Sequence, residues 1–468
     1  MDDVRPAGAL STLHRVLFER DHTEGSLLAS IAVLALPALA MGLAGGAGFQ
    51  VVELWFVGHL GPAGTAAFGV ASQALGQVPF LVGFGIAVAA QMLVAQLVGS
   101  RRPEEAERVA AQAIVLAFGV CVAIAIVGQF PHALLGLLTH DVDVIASGAP
   151  FVRVAYGFMF AQIFGMLFSF VLSGAGETTT PLLLSLISTP LTLVLEYALV
   201  LGHFGAPTLG LVGLAISVAT ASLLSLSIAL FLLLTGRCRL HLRPRHFAPD
   251  ARLLGHLASR AWQPALHMIV PTLMMVGYMT ISGRYGTDVQ AAYTIGLRIE
   301  SLPVFLSFPI ANACATLVGQ NLGAGQPVRA WRAIGAGYAL ELAATSVISL
   351  VLFLARERIV GMFSQDPEVI RLASEYLLFA CANVVLVGTY FVSFRALQGA
   401  GDMLSPMLAS IAAALLVAVP LAWWLTTQTA LGPRALWIAN LAFSATNTAL
   451  VTGWLALGRW ARPRASAA

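Results

Sequence analysis

The stretch FVLSGAGETTTP, Phe170 to Pro181, returns later in the chain as FRALQGAGDMLSP, Phe394 to Pro406. Gly174, Ala175, Gly176 and Pro181 reappear as Gly399, Ala400, Gly401 and Pro406, each displaced by 225 positions. The same displacement of 225 carries Gly58, Gly61, Ala66 and Ala67 onto Gly283, Gly286, Ala291 and Ala292. One offset recurring at distant places marks an internal duplication. It divides the chain into an N-terminal lobe, 1–236, a basic linker, 237–252, and a C-terminal lobe, 253–468.

Composition sets the solvent for both copies. The chain is 58% hydrophobic and 10% charged, against about 25% charged residues in soluble domains. With a mean hydropathy of +0.86, it is expected to be an all-α integral membrane protein. All 25 Lys+Arg residues are arginine, which excludes Schiff-base and P-loop lysine chemistry. The four cysteines, Cys121, Cys238, Cys314 and Cys381, show no C-x-x-C spacing and read as small packing residues, not as zinc or redox groups. The first apolar run, 26 residues long, exceeds a signal-peptide core and reads as a retained span.

A bilayer-crossing helix needs about 20 apolar residues. That rule gives six spans in the first half, near 27–60, 65–99, 107–130, 148–172, 180–201 and 208–235. Six more follow near 253–285, 288–318, 330–355, 372–399, 404–427 and 433–458. Seventeen of the 25 arginines fall on the N-terminus, the C-terminus and the loops on that side. Positive residues stay inside, so both termini and the linker are expected to be cytoplasmic, in a bacterial inner membrane. An even number of spans per half brings each copy in with the same orientation. The two six-helix lobes should therefore be related by a pseudo-twofold along the membrane normal, the parallel kind of transporter duplication.

Ionisable residues inside spans point to function. Glu53 lies eight residues before Gly61 and Glu196 six before Gly202, both toward the outer ends of outward-running spans. At about 1.5 Å rise per residue their depths agree to within about 3 Å. At the common offset they map onto Tyr278 and Leu421, so the acidic pair belongs to the first half only. Two carboxylates in one poorly hydrated lobe cannot both ionise cheaply, so one is expected to hold a proton near neutral pH. Coordination of Na⁺ by the same oxygens is the other reading.

Gln50 and Thr192 stand one turn before the two acids, on the same helix faces. Phe158, Gln162, Phe164 and Tyr278 are candidates for a substrate cavity suited to flat, hydrophobic cations. Pro37, followed by Gly42, Gly45, Gly46 and Gly48, marks a hinge below Glu53. Elsewhere, Arg298 and Glu300 are expected to pair with other groups, and Glu341 and Arg395 to form buried pairs or snorkel. His267 is expected to be a hydrogen-bonded packing residue. No catalytic cluster or metal-ligand spacing is present, so no resident cofactor and no enzymatic role are expected.

The VGHLG run, Val57 to Gly61, the LVGQNLGAGQ stretch ending at Gln326 and the paired GAGETTTP and GAGDMLSP loops resemble the multidrug and toxic compound extrusion (MATE) family. Within the family they resemble a DNA-damage-inducible-like prokaryotic branch. The resemblance implies a V-shaped, two-lobed antiporter that exports hydrophobic or cationic drugs or metabolites in exchange for H⁺ or Na⁺ by alternating access. It also implies a monomer whose partners are small amphipathic molecules and membrane lipid, not nucleic acid.

Glu53 stands where the family usually carries a span-1 Asp, Glu196 where this branch has a span-5 Asp, and Thr192 where an Asn usually precedes it. Thr272 stands near the span-7 Glu of the sodium-coupled branch, and Ser173 and Gln398 replace an arginine often found before the paired loops. A lipid or lipid-linked oligosaccharide flippase of the same superfamily is the alternative reading. It would call for a basic cavity, and only Arg298 and Arg395 are expected in the membrane core.

Overall fold

A computed structural model describes residues 21–42, 48–139 and 141–461. Among these residues the chain is helical, with no β-strand. The first half contains α1 (Leu27–Met41), α2 (Phe49–Gly58) and α3 (Gly61–Phe68), a π-helical segment (Gly69–Leu75), then α4 (Gln77–Gly99) and α5 (Pro103–Val127). It continues with α6 (Pro131–Gly136), α7 (Val142–Ala175), α8 (Thr179–Leu201) and α9 (Leu211–Leu234). The second half contains α10 (Ala251–Ser282), α11 (Thr287–Ser301), α12 (Val304–Gly323), α13 (Pro327–Gly361) and α14 (Pro367–Gly399). It ends with α15 (Leu404–Ala412), a second π-helical segment (Ala413–Ala418), α16 (Val419–Gln428) and α17 (Arg434–Ala456).

Ten helical stretches among the described residues, from Gly69–Gly99 to Leu404–Gln428, are long and apolar enough to cross a membrane. The expected first span is represented by α1 and α2 on either side of residues 43–47, which lie outside the described part. The expected twelfth is α17, 23 residues long, whose Asn440, Ser444, Asn447 and Thr448 lower its hydropathy. The chain is an all-α, multi-pass membrane protein.

The described residues form two compact units, one of residues up to 24 with 32–265, the other of 25–31 with those from 266 onward. In the first unit α7 is central and packs against α3, α4, α5, α6 and α9. In the second, α14 holds the same place, against α11, α12, α13 and α17. These two helices are the ones that end in the duplicated GAG loops.

Local structure repeats with the sequence. Gly176 and Gly401 close the two central helices at φ 89° and 88°, a left-handed conformation that favours glycine. The next amide reaches back in both, Glu177 N–H to the Leu172 carbonyl at 2.8 Å and Asp402 N–H to the Leu397 carbonyl at 2.9 Å. A Cβ on Gly174 would lie 2.6 Å from the Gln91 carbonyl oxygen, and one on Gly399 would strike the Ala315 carbonyl. Each central helix is thus pressed backbone to backbone against α4 or α12. At the opposite ends Asp141 and Asp366, also 225 apart, cap α7 and α14 by accepting two backbone N–H bonds each, at 2.8–3.2 Å.

The linker belongs to the first unit. Gln112, fully buried on α5, donates to the carbonyls of His246 and Ala248, both at 2.8 Å, and accepts the Asp250 N–H at 3.0 Å. Glu177 accepts the Arg239 N–H at 2.8 Å, and Glu107 the His241 N–H at 3.1 Å. Ion pairs Arg108–Asp250 at 2.8 Å and Arg245–Glu104 at 2.9 Å complete the attachment.

Candidate functional site

Glu53 lies on α2 and Glu196 on α8, and these two helices pack against each other. Glu196 is fully buried, and neither carboxylate oxygen has a hydrogen-bond partner. Glu53 is half-buried and within Coulombic reach of Glu196. A buried ionised carboxylate without a partner is very costly, so this pair suits a group that gains a proton or a cation. Thr192 is buried one turn before Glu196, but its hydroxyl donates to the Ser188 carbonyl at 2.9 Å. The side chain of Gln50 lies outside the described part.

Glu53 forms part of the wall of a cavity of about 410 Å³ inside the first unit. Phe49, Phe68, Phe80 and Phe151 supply aromatic walls, Ser72, Gln77 and Gln162 polar points, and Leu214 and Val218 of α9 the far side. No arginine is among the lining residues. A mostly apolar hollow with few polar groups and one carboxylate suits an amphipathic, cationic or neutral small molecule.

The π-helical segment forms one side of this cavity through Ala71 and Ser72. From Ala67 to Gln91 the chain has one residue more than from Ala292 to Ala315 in the second half. A π turn, bonded from residue i to i+5, takes up such an extra residue; here the Gly76 N–H reaches the Ala71 carbonyl at 3.1 Å. The hydroxyl of Tyr156 on α7 donates to the Leu75 carbonyl at 2.8 Å and holds the wide turn in place.

Of the residues expected around a cavity, the structure brings Phe158 and Gln162 to this one. Phe164 instead lines a separate apolar crevice of about 300 Å³ with Phe118, Phe160 and Leu230. Residues two apart on a helix do not share a face, so Gln162 and Phe164 look in different directions. Tyr278 is buried in the second unit's apolar cluster with Tyr293, Tyr376 and Trp437. Pro37 lies inside α1.

The remaining intramembrane polar groups form networks within the second unit. Glu300 accepts from the Tyr376 hydroxyl and the Asn383 amide. Arg395 is fully buried, bonds to Asn312 and to Gln398, and lies 5.5 Å from the Phe308 ring. His267 bonds to the Tyr390 hydroxyl at 2.6 Å and the Ser410 hydroxyl at 2.8 Å, as a packing residue does. Glu341 is the exception: fully buried against Gly388, neither of its carboxylate oxygens has a hydrogen-bond partner, and it does not pair with Arg395. Sequence reasoning overlooked Tyr156, Gln112 and the paired Asp141 and Asp366 caps. Only the caps carried a legible signal, their common offset.

Fold and site together define a multi-pass membrane transporter built from a duplicated helical unit. The sequence profile of the MatE family matches residues 38–198 and again residues 265–424, once in each half. The chain belongs to the MatE family. It is 24% identical over 456 residues to the probable multidrug resistance protein YoeA of Bacillus subtilis, covering 95% of this chain and 97% of that one. It is 28% identical over 410 residues to a probable multidrug resistance protein NorM of Bacillus cereus, covering 83% and 87%. A solved MOP superfamily transporter from Pyrococcus furiosus superposes with a TM-score of 0.86 at 18% identity, covering 94% of this chain and 98% of that one. The eukaryotic MATE transporter AtDTX14 gives 0.80 at 20% identity, covering 93% and 96%.

Proposed function

We propose that this protein is a secondary active antiporter that exports hydrophobic or cationic small molecules in exchange for protons, with Glu53 and Glu196 as the coupling carboxylates. The observation that carries the reading is the acid pair itself: Glu196 buried with no hydrogen-bond partner, and Glu53 beside it in the wall of an otherwise apolar cavity. The multidrug resistance names of its relatives support the substrate class.

With both acids charged, the pair attracts a cation and the two carboxylates repel each other. A proton entering from outside relieves that repulsion and weakens the hold on a cationic substrate, which then leaves. Loss of the proton to the cytoplasm resets the pair. Pro37 gives the first span a point at which to bend as the charge changes. Both termini are cytoplasmic in this reading, and the two lobes alternate in their access as a monomer in the inner membrane. The arginine-free cavity wall argues against a flippase for phosphate-bearing lipids.

Ethidium efflux from cells lacking their own pumps tests this, under an imposed pH gradient and then an imposed Na⁺ gradient. Efflux that follows pH and is lost in Glu53→Gln and Glu196→Gln supports proton coupling at the pair. Efflux that follows Na⁺ shifts the assignment to cation coordination by the same carboxylates. Variants that pump like wild type remove the pair from the mechanism.

A further inference from the structure

A third hollow in the first unit lies away from the acid pair, where α8 begins and α9 ends. It measures about 720 Å³, within the roughly 300–1,000 Å³ range of ligand sites. Its two ends differ in chemistry. The linker end is polar, formed by Arg237, Arg239 and Glu177. Beyond it, Leu183, Leu184 and Ile187 of α8 face Ile228 and Leu232 of α9. The spacing of these residues puts one apolar stripe on each helix.

The apolar end opens toward lipid. Leu183 is 50% and Ile187 48% exposed on a helix long and apolar enough to span the bilayer. At the polar end Arg237 is exposed and has no acidic partner among the described residues, its guanidinium resting 5.5 Å from the Phe231 ring. The carboxylate of Glu177 is bonded to the Thr180 hydroxyl and the Arg239 N–H, and the Arg239 guanidinium donates to the Gly176 carbonyl at 3.3 Å. Arg239 is matched by Glu177, so the unmatched charge at the mouth is that of Arg237.

We propose that this crevice binds one anionic phospholipid, its phosphate at Arg237 and an acyl chain along the α8–α9 stripe. Guanidinium groups suit phosphate because their planar donors match its oxygens in pairs. Basic pockets between membrane helices select anionic headgroups in this way. The crevice lined by Phe164 has almost no polar wall and offers a chain no such anchor.

The test is native mass spectrometry of the full-length protein, stripped of lipid and titrated with dioleoyl phosphatidylglycerol or phosphatidylcholine. Wild type should bind phosphatidylglycerol about fivefold more tightly, the scale of one surface arginine. Arg237→Ala should bring it to the choline level, Arg237→Lys should keep part of the preference, and Ile187→Trp should weaken both lipids. Equal binding of the two lipids by wild type overturns the proposal. So does an Arg237→Ala loss no larger than that of Arg459→Ala, an exposed arginine in the second unit. If inorganic phosphate alone displaces phosphatidylglycerol and Ile187→Trp leaves its affinity unchanged, the mouth is an anion site and the lipid assignment falls.

Discussion

At the scale of single residues, two fully buried carboxyls lack a hydrogen-bond partner, Glu196 in the first unit and Glu341 in the second. Only Glu196 has a second acid within Coulombic reach, Glu53 on the helix packed against its own. Glu196 is buried without a hydrogen bond while Glu300, Arg395 and His267, also deep in helices, each make two. These bonds stabilise the second unit's packing, whereas Glu196 has no structural partner to lose. Glu196→Gln is therefore expected to leave the thermal unfolding midpoint in detergent near that of wild type. Efflux should nevertheless fall at least about tenfold, as befits a functional intramembrane acid. Parallel losses of stability and efflux would count against that division. Glu300→Gln is expected to behave in the opposite sense, with unfolding shifted downward, because it weakens bonds to Tyr376 and Asn383 in a dry site.

The helices carry constraints of their own. Both central helices need glycine where they cross a neighbouring backbone, so Gly174→Val and Gly399→Val should each destabilise by about 1–3 kcal/mol or more through overpacking. Midpoint shifts in a thermal melt read this directly. Removing either cap, by Asp141→Ala or Asp366→Ala, is expected to cost about 1 kcal/mol, with equal effects in the two halves. Tyr156→Phe leaves the Leu75 carbonyl of the π turn without its donor, so it should lower the melting midpoint although it removes a single oxygen. An unchanged midpoint would mean that the wide turn supports itself.

The linker behaves as part of the first unit because buried Gln112 holds three of its backbone groups. Gln112→Leu strands them, at about 1–3 kcal/mol for each group left buried, and trypsin cleavage after Arg245 should accelerate. Backbone N–H bonds from Leu253 and Arg252, with Arg108 nearby, hold the Asp250 carboxyl below its ordinary value. A depressed carboxyl stabilises above its unfolded value and loses that contribution as pH falls through the folded one. Burial likewise holds the His246 imidazole of the linker below its ordinary value. Linker protection should then be flat only above about pH 7, decline as pH falls through the ordinary histidine range, and fall again below about pH 4. Hydrogen exchange, corrected for its intrinsic pH dependence, checks this.

For the molecule as a whole, the duplication is an asymmetric one. Caps, close crossings and left-handed turns repeat at nearly one offset, but Glu53 and Glu196 do not, and neither does the π turn beside them. Coupling confined to the first unit, as proposed, has a testable consequence. Transplanting acids to the equivalent second-half positions, as in Leu421→Glu with Tyr278→Glu, should not rescue efflux in the Glu53→Gln, Glu196→Gln background. Rescue would place coupling in either half.

The sequence by itself determined the membrane class, the count of apolar segments, the duplication and the presence of an acid pair in one half. Each follows from composition, run length or an offset, which survive any rotation of a helix about its axis. The tertiary structure alone decided that Phe158 and Gln162 face the cavity, that Phe164 faces another crevice and that Tyr278 is core. It also decided that the Thr192 hydroxyl bonds to its own helix and not to Glu196. Lipid is as apolar as a protein interior, so a membrane helix has no wet face to mark its outside. Which face turns inward is chosen by close packing, and that choice is made between helices, beyond the reach of a pattern within one.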